Sequence, residues 1–357
     1  MKKRRVTSKP GNIAEGGVPR RTRMQDVADL AKVSLGTVSR VMNANDTVAD
    51  PLRNRVLEAA KSLGFVPDAI ARSLRTKATR VIGCLVPDVA NPLYAEIVGA
   101  AEEVLRSSAY NLLLANSRFR HDVDLEILDV FRSRRMDGLI AAVTRDRDDQ
   151  TVDAIRGLDF PVVLIERDLP FATDAVVTDH SGGMKQATDY LLALGHKRIG
   201  VLTAPQDILT GRQRAAGFLA AHEAARVAID ATITVYRSFD GALAYDTAYS
   251  MLMSKTPPTA IVAGASEMIG VLRAAHVLGL AVPRQVSVIV IGDTALSELH
   301  SPPLTAVRWD AGRVGLIAAQ MLVGRLSGEN GDREPRRILL PTELLIRHSC
   351  AAPGSRR

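Results

Sequence analysis

Between Ser34 and Asn43 the residue types and their spacing describe a surface that could grip a polyanion. On a helix running from Leu35 to Asn43, the residues Thr37, Ser39, Arg40 and Asn43 share the outward face, while Val38, Val41 and Met42 turn inward. Small hydroxyl and amide groups hydrogen-bond phosphate oxygens, and one arginine offers paired donors to a guanine edge. Ser34, just before the helix, is a good N-cap. The implied chemistry is recognition of a DNA duplex. An ordinary helical hairpin in a larger core would share this pattern, so the surrounding chain has to decide.

The elements that must position that face are short. Asp26 to Ala31 forms a helix with Val27, Leu30 and Ala31 on one side, and Lys32-Val33 makes a tight corner. Two short helices joined this way are a helix-turn-helix, whose second helix lies in the major groove. Thr22 and Gln25 have capping-box spacing for the first helix. Asp50 as N-cap and Pro51 at the first helical position open a third, which runs to Leu63 with Val56, Leu57, Ala60 and Leu63 inward until Gly64 stops it. Beyond Pro67, the segment Asp68 to Leu74 is a helix of about two turns, below the ~12 residues that hold a helix in water alone. It therefore needs a partner to form, and Leu74 is placed to wedge between base steps in the minor groove.

Charge follows the same division. The 357 residues carry a net +7, but residues 1–80 hold 17 Lys/Arg against 7 Asp/Glu, a net +10 that leaves the remainder at −3. A basic head on a slightly acidic body fits phosphate neutralisation. Residues 1–21 are rich in Lys, Arg, Gly and Pro without periodicity and are expected to be a disordered basic tail. Hydrophobic residues make up 46% of the chain, enough for a real core, and no apolar run approaches the ~20 residues of a membrane span. Lys3 to Arg5 is not followed by an apolar stretch, so export is not expected. Cys84 and Cys350 form no CxxC and read as buried thiols of a cytoplasmic protein.

From Arg80 short apolar runs alternate with helical stretches: VIGCLVP, NLLLA, GLIAAV and PVVLI, then, restarting after Ala175, RIGVLT, TITVY, TAIVAG and SVIVIG. That alternation predicts parallel sheets wrapped by helices, in two successive doubly wound lobes with a ligand cleft beyond the carboxyl ends of the strands. A last helix from Ala311 to Leu326 and the run RRILLPTELLIRHS are expected to cross back and tie the lobes together.

Taken together, these residues resemble the lactose-repressor (LacI/GalR) family of bacterial transcription regulators over residues 24–348. The motifs DVADLAKVSLGTVSRVMN, LGFVPDAIARSLRTKATRVIG, PDVANPLYAEIV, PVVLIERD, LLALGHKRIGVL, RQRAAGF and SPPLTAV stand in the family's order. The resemblance implies a helix-turn-helix head (22–67), a hinge helix and linker (68–79), and a periplasmic-binding-protein-like sensor (80–348). Lobe 1 would hold about 80–178 and 309–338, lobe 2 about 179–308 and 339–348, with 349–357 as a tail. It implies that Ser34, Thr37, Ser39 and Asn43 hold phosphates, that Leu35, Gly36 and Arg40 stand at base-reading positions, and that Ala71 and Leu74 belong to the hinge and its minor-groove lever. Gly36 has no side chain to read with, which leaves Arg40 as the main polar reader. In the sensor, the resemblance implies a small-molecule effector lined by Leu93, Tyr94, Glu166, Arg212, Phe239, Gly264, Ser266 and Asp293, with Arg212 as its grip. Gly264-Ala265 and Val290-Ile291-Gly292 replace polar family residues, which leaves room for a smaller or acidic metabolite beside a sugar. The implied assembly is a homodimer on a near-palindromic operator, without a tetramerising leucine-heptad tail.

Other readings fare worse. An enzyme on the same fold would need a catalytic motif, and the chain has no GxSxG, P-loop, HExxH or post-strand GxGxxG. Its histidines at 180, 196, 222, 276 and 300 lack metal-ligand spacing, so neither cofactor nor metal is expected. A solute-binding protein would not carry the basic three-helix head, and an RNA binder would need more stacking aromatics than Phe65. The sequence therefore predicts an effector-controlled repressor of transcription in the bacterial cytoplasm, bound to the nucleoid when on its operator.

Overall fold

The computed structural model describes residues 22–42, 48–65, 78–230, 233–236, 241–328 and 333–354. Asn43, Ala71, Leu74 and Phe239, with the tail and hinge segments, lie outside the described residues. The chain divides into two compact units, Met1–Lys77 and Ala78–Arg357.

In the first unit, α1 (Met24–Ala31), α2 (Leu35–Met42) and α3 (Asp50–Ser62) pack around the fully buried Val27, Val38 and Val56. Leu30 and Leu57, expected inward, are instead 53% and 48% exposed, and Ala28 and Ala59 take the buried places. Short helices this close together admit small side chains at the contact and turn larger ones out. Ser34 caps α2 as expected, its Oγ accepting from the Thr37 N–H at 3.2 Å. Thr22 does not cap α1. Its hydroxyl donates to the Leu63 carbonyl at 3.0 Å, while Asp26 accepts from the Arg23 N–H at 2.7 Å. Ala49 is the N-cap of α3, with Asp50 and Pro51 already in its first turn. The corner after α1 is left-handed at Lys32 (φ 51), and Arg55 from α3 clamps it by donating to the Ala31 carbonyl at 2.6 Å. A guanidinium on the last carbonyls of a helix also complements its dipole.

The second unit carries two six-stranded sheets. Elements of the first are β1 (Val81–Val86), α4 (Pro92–Ser107), β2 (Asn111–Asn116), α5 (His121–Ser133), β3 (Gly138–Ala141), α6 (Asp149–Arg156), β4 (Val162–Ile165) and β5 (Asp174–Thr178). Then come α7 (His180–Ala193), β6 (Ile199–Thr203), α8 (Leu209–Ala225), β7 (Thr234–Tyr236), α9 (Gly241–Met253), β8 (Ala260–Gly264) and α10 (Ala265–Val277). The chain closes with β9 (Ser287–Ile291), α11 (Ala295–Leu299), β10 (Thr305–Arg308), α12 (Ala311–Leu326), β11 (Arg337–Leu340) and β12 (Glu343–Leu345). The sheet orders are β11-β5-β4-β3-β1-β2 and β12-β10-β9-β8-β6-β7. All pairings are parallel except β10 with β12. Continuous apolar runs such as Val81–Val86 are covered by helices on both faces, as parallel strands require.

The run expected to cross back does so in two pieces. Pro341 and Thr342 interrupt it, so that β11 joins the first sheet beside β5 and β12 the second beside β10. The sequence did not announce β5 or β10, because their apolar runs are only three and two residues long and are flanked by polar or proline-rich turns. Cys84 is buried and its thiol is pushed up to about 12 by that burial, while Cys350 is part-buried, and both are unpaired.

Helix pairs close each sheet through a glycine. A methyl at Gly315 of α12 would stand 1.9 Å from the Ile97 carbonyl of α4, and one at Gly217 of α8 would stand 2.2 Å from the Ser181 carbonyl of α7. The backbones touch there and cannot yield locally. Gly315→Ala is therefore expected to lower the unfolding free energy by about 1–3 kcal/mol in urea titrations, the usual cost of overpacking.

Candidate functional site

The head presents the predicted reading face. Leu35 is 47% exposed, Ser34, Gly36 and Arg40 are exposed, and Thr37 and Ser39 are half-buried at the rim, opposite the buried Val38 and Val41. The Ser34 and Thr37 hydroxyls lie 2.9 Å apart. Arg40 lies back along the helix, its Nε donating to the Gly36 carbonyl at 3.2 Å. Above Gly36 the surface is open, since an added Cβ would meet only Ser34 Oγ at 3.7 Å.

In the second unit a cavity opens between the lobes at the carboxyl ends of the strands. Leu93 and Tyr94 reach it from the first turn of α4, Glu166 from the end of β4, and Gly264 and Ser266 from the β8–α10 junction. The structure therefore brings five of the eight expected effector residues together. Asp293 is elsewhere. It forms a two-pronged ion pair with Arg347 at 2.7 Å and borders a separate hollow with Thr294 and Arg308. Arg212 is elsewhere too. It reaches across to lobe 1 and pairs with Asp146 at 2.9 Å and with Asp168. Residues two apart on a helix point about 200° away from each other. Arg214 therefore faces the cavity in place of Arg212.

Several cavity residues gave no sequence signal of their own: Arg167, His180, Thr210, Arg214, Glu267 and Trp309. Glu166 sits at φ 55, a left-handed conformation, and its Oε2 meets His180 Nε2 at 2.5 Å and the Thr178 hydroxyl at 3.1 Å. Burial alone would raise its pKa, but the His180 ring and the Thr178 donors outweigh that and hold the carboxyl below its ordinary value. Burial pushes His180 down, against the pull of Glu166, so the ring is neutral near pH 7. Arg167 is spent on backbone, donating to the Val143 carbonyl at 2.5 Å and the Glu166 carbonyl at 2.7 Å. Trp309 meets the His180 ring edge-on at 5.4 Å. Glu166 Oε1, His180 Nδ1, Arg214 Nε, both Glu267 carboxyl oxygens and Trp309 Nε1 have no partner among the described residues. Buried polar atoms left open along a cavity are places for a ligand's polar atoms. No His, Cys, Asp and Glu cluster among the described residues is arranged to hold a metal.

Comparison with known proteins agrees with both halves of this geometry. Residues 23–68 match the family described as bacterial regulatory proteins, lacI family, and residues 188–350 a periplasmic binding protein-like domain. The HTH-type transcriptional regulator CelR of Thermobifida fusca is 33% identical over 344 residues, covering 92% of this chain and 98% of CelR. This chain belongs to the LacI family. The HTH-type transcriptional repressor PurR of Haemophilus influenzae (strain PittEE) is 32% identical over 330 residues, covering 91% of this chain and 98% of its own. Among solved structures, a CelR–cellobiose complex is similar with a TM-score of 0.69 at 30% identity, covering 92% of this chain and 100% of that one. A lac repressor dimer bound to operator and the anti-inducer ONPF shares the fold, with a TM-score of 0.82 at 24% identity over 93% of this chain and 100% of its own. As a LacI-family member the chain is a DNA-binding transcriptional regulator under the control of a small-molecule effector, and its relatives are regulators, not enzymes.

The two arginines of α8 make a direct test. Arg212→Ala strips the fully buried Asp146 of its charged partner, and is expected to cost about 1–3 kcal/mol in denaturant unfolding of the ligand-free protein. Arg214→Ala removes a buried charge with no carboxylate within ion-pair distance among the described residues and is expected to cost less than Arg212→Ala in the same melts.

Proposed function

We propose that this LacI-family regulator is a repressor that binds a near-palindromic operator as a homodimer and is switched by an effector held between its sensor lobes. The observation that carries the effector half is Arg214, a buried guanidinium lining the interlobe cavity with an open Nε and, among the described residues, only the Thr203 hydroxyl, at 2.9 Å, as a hydrogen-bond partner. Leu93, Tyr94, Glu166 and Ser266 stand around it as the remaining contacts. The relatives support the reading, since CelR has been solved with cellobiose and the lac repressor as a dimer with operator.

Dimerisation has support in the sensor itself. Strand β2 is the free edge of the first sheet and carries Leu113 and Leu114 exposed on it, and α10 exposes Ile269 and Val277. Bare sheet edges with apolar side chains invite pairing with another chain. Two heads in one dimer place two α2 helices in successive major grooves of a symmetric site. Ser34, Leu35, Gly36, Thr37, Ser39, Arg40 and Asn43 would meet the duplex, and Ala71 and Leu74 would form the hinge that folds on the minor groove. The protein would act in the cytoplasm, on the nucleoid, and among the described residues no helix is long and apolar enough to cross a membrane.

Operator and effector then bias each other's affinity by the same factor, typically about 1–3 kcal/mol. Once a thermal-shift screen of sugars and small acids has supplied an effector, operator titration tests the mechanism. Arg214→Ala is expected to bind operator like the wild type without effector and to lose the effector response. An unaltered response would place the effector elsewhere. Arg40→Ala is expected to lose about 1–3 kcal/mol of discrimination between operator and random duplex, with a smaller loss on random DNA.

A further inference from the structure

The interlobe cavity contains an electrostatic imbalance that says more about its ligand. Arg214 is 8% exposed and Glu267 is 5% exposed. Among the described residues Arg214 has no carboxylate within ion-pair distance, whereas Arg198, Arg212, Arg325 and Arg347 of the same unit are each matched to one. Arg167, the other cavity guanidinium, donates to two backbone carbonyls and likewise has no carboxylate within ion-pair distance among the described residues. Glu267 is an acid that does not repair this: neither of its oxygens has a partner, and it forms no ion pair with Arg214.

Both groups nevertheless aim at one spot. A methyl built on Gly264 would stand 2.3 Å from Glu267 Oε2 and 3.4 Å from Arg214 Nη1. Glu267 Oε2 thus fills the place a Gly264 side chain would take and lies beside the Arg214 guanidinium, and the two groups face the cavity together at its Gly264 wall. We propose that the cavity in front of this wall receives the carboxylate of a small hydroxylated acid, gripped by Arg214 and hydrogen-bonded by the Glu267 carboxyl. This rests on the effector reading above and names its chemical class.

The proton on Glu267 follows from its surroundings. Burial pushes its carboxyl up to about 8, with its own backbone N–H and Arg214 pulling the other way. The charged and titratable groups around the cavity are Arg214, Arg167, Glu166, His180 and Tyr94, and behind Glu267 lie the uncharged Thr203 and Thr247. With Glu166 ionised and His180 and Glu267 neutral, two guanidiniums face one carboxylate, an excess of one positive charge. A neutral polyol would leave that charge unmatched, and an ammonium would add to it.

Calorimetry on the full chain can decide, with gluconate, glucuronate and glycerate set against glucose, glucosamine and glucose 6-phosphate. At least one carboxylate is expected to bind at least about tenfold more tightly than every neutral, cationic or phosphorylated probe. Between pH 7 and 9 Glu267 loses its proton, and the carboxylate's affinity is expected to fall about tenfold. Glu267→Gln keeps a donor but cannot ionise, so it should bring that pH ratio close to one. Carboxylates that bind no better than the other probes, or an affinity that rises with pH, would overturn the proposal. A neutral or phosphorylated probe that binds best but is lost in Arg214→Ala would overturn the ligand class and keep the cleft. A carboxylate indifferent to Arg214→Ala would overturn the cleft reading itself.

Discussion

Asp146 is completely buried, and it lies where the two sensor lobes meet at the start of α8. Its carboxylate accepts from the Leu209 N–H at 2.8 Å, from Arg212 at 2.9 Å and from the Asp168 N–H at 3.3 Å. Leu209 and Arg212 belong to lobe 2, whereas Asp146 and Asp168 belong to lobe 1. Taking a carboxylate out of water costs several kcal/mol unless donors replace the lost hydration, and here a helix N-terminus and a guanidinium do so together. If the lobes part, Asp146 loses both lobe-2 donors. The lobes are therefore joined here by Asp146 and Asp168 against the Leu209 N–H and Arg212, and α8 is fixed at its first turn. Two residues past Arg212 on that helix, Arg214 is thereby aimed into the cleft.

The cleft has the opposite character. At the latch every charge has its partner, while the cavity gathers polar atoms that the protein leaves open, beside backbone held in costly conformations. Glu166 sits at φ 55, and Gly292 at φ 105 allows Leu93 to approach, since a Cβ there would stand 2.6 Å from Leu93 Cδ1. Strain of this kind persists where surrounding structure insists on it, commonly at ligand sites. Six of the ten buried polar atoms without a partner among the described residues belong to side chains that line the cavity, which is the pattern of a sensor waiting for a ligand.

Much of this was legible in the residues. The stripe Val27, Val38, Val41 and Val56 gave the three-helix head, and the alternation of apolar runs with helical stretches gave the doubly wound lobes. What failed did so for physical reasons. Leu30 and Leu57 turned outward because the head's helices approach through alanine. Thr22 spends its hydroxyl as a donor to the Leu63 carbonyl instead of accepting from the first N–H groups of the helix it was expected to cap. Strands β5 and β10 escaped because their apolar runs, Ala175–Val177 and Ala306–Val307, are only three and two residues long between polar neighbours. Arg212 and Arg214 are both long, charged and on one helix, and only the packing of α8 against Asp146 separates the latch from the ligand contact. Glu267 had no legible signal, since an acid in a helix is ordinarily solvated and only the fold shows it buried.

Because Leu209 is the first residue of α8, its N–H has no acceptor within the helix, and its protection from solvent exchange depends on Asp146 alone. Amide hydrogen exchange at Leu209, in the wild type and in Arg212→Ala without ligand, therefore reports lobe closure directly. The account predicts a slowly exchanging amide in the wild type that becomes at least about tenfold faster in the variant, while the central turns of α8 keep their protection. An amide equally protected in both proteins, or unprotected in the wild type, would contradict it.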